Sequence, residues 1–118
     1  MRNNAWGSYK AKNGQMLSQI ADAVIAIAKY EHIDVVDLYY KSGMNYTNLV
    51  RYKRLKDPKT GVYKNYVYPD FIDIPFNPAT DEYPYPAGAI NMTFDGLHPS
   101  DKGFGIIAKM LVKIMKNY

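Results

Sequence analysis

An acid three residues ahead of a histidine, Asp95 and His98, is the pair in this chain best suited to chemistry. It sits in the stretch Thr93-Phe94-Asp95-Gly96-Leu97-His98-Pro99-Ser100-Asp101-Lys102-Gly103. A histidine that removes the proton of a serine hydroxyl needs a fixed tautomer. It also needs a counter-charge for the imidazolium it becomes, and a carboxylate supplies both. On a tight loop this spacing can set the carboxylate beside the ring of its own histidine. Gly96 permits the turn, and Pro99 stiffens the exit. The same residue types serve a plainer purpose, since Asp and Ser cap helices and a lone His can be merely hydrogen-bonded. Asp95 and His98 are the candidate catalytic acid and base.

Other chemistry finds little support. The second histidine, His32, falls at a helix end, has no acid placed as Asp95 is, and reads as a partly exposed structural residue. With two histidines and no cysteine there is no metal-ligand spacing, no disulfide and no thiolate. No glycine-rich phosphate loop follows a strand, so no nucleotide cofactor is expected. The nucleophile is the gap. Ser8 follows Gly7 without an acid or an apolar strand before it, Ser100 suits a helix cap, and Ser18 and Ser42 lack context.

These residues need elements to hold them, and 118 residues suffice for about one small domain. A hydrophobic content of 47% is ordinary for a globular chain. Residues 1–13 read as a polar loop with no signal-peptide core, although an extracytoplasmic full-length protein is compatible with that. A helix is expected over 14–30, capped by Asn13, with Leu17, Ile20, Ala21, Val24, Ile27 and Ala28 on one face. Residues 33–38 read as a short β-branched strand. Asp37 at its end is better placed to cap the next turn than to act in a site. A second helix spans 100–117, with Ser100 as N-cap and Phe104, Ile107, Ala108, Leu111, Ile114 and Met115 as its buried stripe. No run of apolar residues is long enough to span a membrane.

Between them lies an unusual segment, 41–92. Six of the seven prolines fall between Pro58 and Pro86. Asp57-Pro58-Lys59-Thr60-Gly61 is a turn sequence flanked by two apolar-polar runs, which predicts a β-hairpin. Residues 70–89 should be extended and irregular. The tyrosines could form a sugar-stacking platform, but they read first as packing a proline-rich loop onto the body. Residues 41–64 hold seven basic side chains and one acid, and residues 65–101 hold six acids and no Lys or Arg. Such complementary blocks argue for internal pairing rather than for a nucleic-acid partner.

Asp95-Gly96-Leu97-His98-Pro99, followed by Ser-x-x-Gly and an amphipathic helix, resembles the C-terminal block of the SGNH (GDSL-type) serine hydrolases. The resemblance implies that Asp95 and His98 are two members of a triad. It also implies the C-terminal part of a three-layer α/β/α, flavodoxin-like sandwich, interrupted by the Tyr/Pro-rich insertion and its hairpin. The family's Gly-Asp-Ser block, and the glycine and asparagine blocks of its oxyanion hole, have no match here. The resemblance thus implies an ester substrate, such as an acylated carbohydrate, and a chain inactive by itself. Its partner would be the missing N-terminal part of the domain or a second copy. A reading of another class is a non-catalytic binding or assembly module that works through the 41–92 surface.

Overall fold

The computed structural model describes residues 14–118. Asn13 and Ser8 lie outside them. In chain order, helix α1 (Leu17–Tyr30) and a single turn α2 (Leu38–Lys41) precede a hairpin of β1 (Lys53–Lys56) and β2 (Tyr63–Tyr66). A 3-10 turn (Ala87–Ala89) and helix α3 (Asp101–Met115) follow. This is a small mixed helix-and-strand structure whose sheet has two strands.

The termini of α1 are explained by local chemistry. The Met16 amide donates to Gln19 Oε1 at 2.8 Å, filling one of the bonds that a helix start lacks. At the other end Ile33 N–H donates to Ala28 O and His32 N–H to Lys29 O, the double bond of a Schellman motif. His32 takes its left-handed position at φ 55°. His32 therefore serves as a helix stop, in a place usually given to glycine.

The expected strand at 33–38 is not formed. Residues 33–37 carry no regular structure, and Leu38 already begins α2. A strand exists through its ladder bonds, and no described segment pairs with 33–37 to supply them. Asp37 caps α2 through Oδ1, which accepts from Tyr40 N–H at 3.0 Å, as its position suggested.

The apolar stripes of the two long helices are left largely uncovered among the described residues. Val24, Ile27, Phe104, Leu111 and Met115 each keep between 46% and 62% of their surface in water. Within the described residues α1 buries only Ala28, and α3 only Gly103. The core lies instead in the 41–92 segment, where Met44, Leu49, Val50, Leu55 and Phe71 are buried. The periodicity of the helices is real, but the surface they are patterned to cover is not supplied by these residues.

The 41–92 segment folds back on itself. The hairpin pairs Lys53 with Tyr66 and Lys56 with Tyr63. Its turn is held by the Asp57 amide on Val62 O and by Gly61, at φ 72°, on Asp57 O. Residues 84–93 then run beside 48–54: Arg54 N–H donates to Pro84 O, Arg51 N–H to Ala89 O, and Thr93 N–H to Leu49 O. Arg54–Glu82 and Lys56–Asp81 ion pairs at 3.3 and 3.2 Å join the basic and acidic blocks. The tyrosines mostly meet each other: Tyr46 stacks on Tyr68, and Tyr83 meets Tyr85 edge-on. Among the described residues no helix is long and apolar enough to cross a membrane.

Candidate active site

The path that delivers Asp95 and His98 begins at Thr93. This residue is 2% exposed. Its hydroxyl donates to Leu49 O at 2.7 Å and accepts from the Gly96 amide at 2.9 Å. One buried hydroxyl thus ties the loop to the body and starts its turn. Gly96 completes the turn at φ 86°, and a bridge between Thr93 and Pro99 closes the loop at its base.

The exit is fixed as firmly. Ser100 accepts from Gly103 N–H at 3.3 Å and donates to Asn91 O, so it caps α3 and ties it to the preceding strand-like run. Gly103 lies so close to Met92 that a β-carbon there would stand 2.2 Å from the Met92 carbonyl oxygen. The Ser-x-x-Gly spacing therefore has a structural meaning: a cap, then a point of backbone contact one turn later.

Within this frame Asp95 faces His98. His98 Nδ1 is 2.5 Å from Asp95 Oδ2. Asp95 Oδ1 accepts from the Leu97 and His98 amides at 2.8 and 2.7 Å. Burial pushes the Asp95 carboxyl up. The His98 ring and the two backbone amides outweigh that, and hold it below the usual carboxylate range. An ionised carboxylate can only accept, so Nδ1 carries the proton and the lone pair is left on Nε2. The His98 side chain is 62% exposed and that of Asp95 20%, so the acid sits inside and the base reaches outward. Phe94 stacks on the imidazole, with ring centres 5.6 Å apart and planes 14° apart. A histidine so held can take a proton at Nε2 and give it back.

Of two depressions, the first is lined in part by the loop and the second is not. The first, of about 680 Å³, is bordered by Phe94, Pro99, Ser100, Phe104 and Arg51. The second, of about 580 Å³, is bordered by Lys53, Phe71, Phe76, Pro84 and Tyr85. Tyr85 connects the second to the loop, since its hydroxyl is 3.6 Å from where a Gly96 β-carbon would stand. Burial, and then the Asp95 carboxylate, push the Tyr85 phenol up to about 12. It remains a protonated donor.

Ser100 is used as a cap, Ser42 bonds Leu38 O and the Met44 amide, and Ser18 lies in α1; none of these described serines is hydrogen-bonded to His98. Among the described residues no three of His, Cys, Asp and Glu gather as metal ligands. The structure brings Asp95 and His98 into contact, whereas Thr93, which ties down the loop, and Tyr85 and Lys53, which border the second depression, were not singled out from the sequence. Lys53 had a signal: it shares a strand face with Leu55, two residues on, and that face is the inward one.

No family model matches the chain, and no curated protein does. A solved structure does: that of a possible lipase from Chitinophaga pinensis, 55% identical, with a TM-score of 0.87. The match takes in 98% of this chain and 45% of the Chitinophaga chain. This chain therefore spans less than half the length of that protein, which is hydrolase-like by its description.

Proposed function

We propose that this chain is the acid-and-base portion of a serine ester hydrolase of the SGNH type. The observation that carries the proposal is the Asp95–His98 contact of 2.5 Å, made with Nδ1 and leaving Nε2 outward. The 55% identity to a possible lipase more than twice as long supports it. So do the exposed faces of α1 and α3, which are patterned for a surface that the described residues lack. In the full α/β/α sandwich a central sheet from the rest of the polypeptide would cover them.

The chemistry is then acyl transfer from an ester, with acylated carbohydrates within the class. A serine from outside the described residues attacks the ester carbonyl. As the C–O bond forms, His98 Nε2 takes the serine proton, and Asp95 stabilises the resulting imidazolium. When the tetrahedral intermediate collapses, His98 returns that proton to the leaving alkoxide. Water, deprotonated by the same nitrogen, then attacks the acyl-serine, and His98 gives that proton to the departing serine oxygen, which frees the acid and restores the serine hydroxyl.

Reconstitution tests this. The chain is mixed with the part of the Chitinophaga protein that it does not match, and hydrolysis of p-nitrophenyl acetate is followed. Turnover in the mixture, with neither part active alone, is the expected result. A chain that turns over the ester alone, at a rate near the enzyme median of roughly 10 per second, would overturn the reading. So would a full-length, soluble complex with no activity.

A further inference from the structure

Lys53 projects from β1 into the groove of about 580 Å³, where its ammonium lies 4.6 Å from the centre of the Phe71 ring and 5.5 Å from that of Tyr85. It is half-buried. The four ion pairs of the described residues use Arg54, Lys56, Lys64 and His98. Lys53 is in none of them, although both of its charged neighbours on the hairpin, Arg54 and Lys56, are paired. Asp73 borders the same groove without an ion pair to it. Burial lowers the Lys53 ammonium from its ordinary range, and no acid compensates.

A side chain that served only to fill this space would cost less without a charge. A cation held between two ring faces at the wall of an open groove is instead prepared for an anion. The rings fix its position and exclude water, which strengthens its pull on a carboxylate that enters. Tyr85 adds a donor beside the lysine, since its hydroxyl remains protonated and lies against Gly96 of the loop. One aromatic ring thus touches both the lysine and the loop that carries Asp95 and His98.

We infer that Lys53, with Phe71 and Tyr85, forms a binding site for a carboxylate on the substrate. The ester processed next to Asp95 and His98 is then one whose acyl or alcohol part bears a second, free carboxylate. The link to a substrate rests on the hydrolase reading, whereas the anion site itself does not.

The test is binding by the 118-residue chain, followed by NMR of its Lys53 side chain and of the Phe71 and Tyr85 rings. The probes are glucuronate, glutarate and glucose. The two carboxylates should shift these signals saturably and glucose should not, and the ratio of glucuronate to glutarate affinity separates a sugar acid from a simple diacid. Lys53→Gln should weaken carboxylate binding at least about tenfold, as expected for loss of a charge-assisted contact. Lys53→Arg should retain most of it. If Lys53→Gln fails to fold, the wild-type Lys53 shifts and the arginine variant decide the question. Equal binding of glucose and glucuronate, or carboxylate shifts that bypass Lys53, would overturn the site. His98→Ala should leave glucuronate binding unchanged, so failure of the catalytic reading and failure of this site appear in different variants.

Discussion

Two glycines of the same helix should respond in opposite directions to one added methyl group. Gly103 and Gly105 both lie in α3. Replacing a helical glycine by alanine ordinarily stabilises by up to about 1 kcal/mol, because the backbone loses less freedom on folding. At Gly105 nothing lies within 4 Å of the new β-carbon, so Gly105→Ala should realise that gain. At Gly103 the β-carbon would meet Met92 O at 2.2 Å and Pro99 Cβ at 3.1 Å. Ordinary contact begins near about 3.5 Å, so α3 must retreat by roughly 1 Å. Overpacking of this kind costs about 1–3 kcal/mol. The retreat also strains the Ser100 amide bond to Met92 O, now 3.0 Å, and a lost bond of this sort costs about 1 kcal/mol. After the helical gain is subtracted, Gly103→Ala should be destabilising by about 1–3 kcal/mol, leaving the two variants about 2–4 kcal/mol apart. Urea titrations followed by circular dichroism measure both. Variants of equal stability would refute the close approach of α3 to residue 92, and with it the account of how the loop is held.

His32→Gly should stabilise by about 1 kcal/mol, because it relieves a left-handed backbone while leaving the helix stop in place; an unchanged melt would mean that the histidine ring makes a compensating contact. The Asp95 carboxyl is depressed in the folded chain, so its contribution to stability should be complete above its unfolded pKa, in the usual carboxylate range of about 3.9, and be lost as pH falls through the lower folded value. Asp95→Asn should remove that acid-side dependence, which pH-dependent melts would reveal. Lys53→Met should raise the urea midpoint at neutral pH, since it removes a cation that burial penalises; a lowered midpoint would show that the two rings more than compensate the charge.

What could be read in advance depended on how local its cause was. Asp95, His98 and Ser100 lie within six residues, and their geometry comes from one turn, so spacing alone placed them. The hairpin followed from Asp57-Pro58 and Gly61, again a local turn. The Asp37 cap was legible for the same reason. Residues 33–38 were not, because their β-branched composition states a preference that only a neighbouring strand can satisfy, and none is present among the described residues. The stripes of α1 and α3 were legible as patterns, and they keep much of their surface in water because no described residues supply a partner surface. Tyr85 and Lys53 are separated by 32 positions in sequence and meet only because 84–93 returns along 48–54. Thr93 precedes the motif directly, but its role needs Leu49 O, which the fold brings from 44 residues away.

The central claim is that Asp95 and His98 act as one acid–base unit on an ester. The most direct measurement is kcat/KM for p-nitrophenyl acetate in the reconstituted complex, with His98→Ala, Asp95→Asn and the double variant compared. Residues that work as a unit are strongly non-additive. His98→Ala should therefore cost at least about 10³-fold, and adding Asp95→Asn to it should cost nothing further. Full activity in His98→Ala, or losses that multiply in the double variant, would contradict the account.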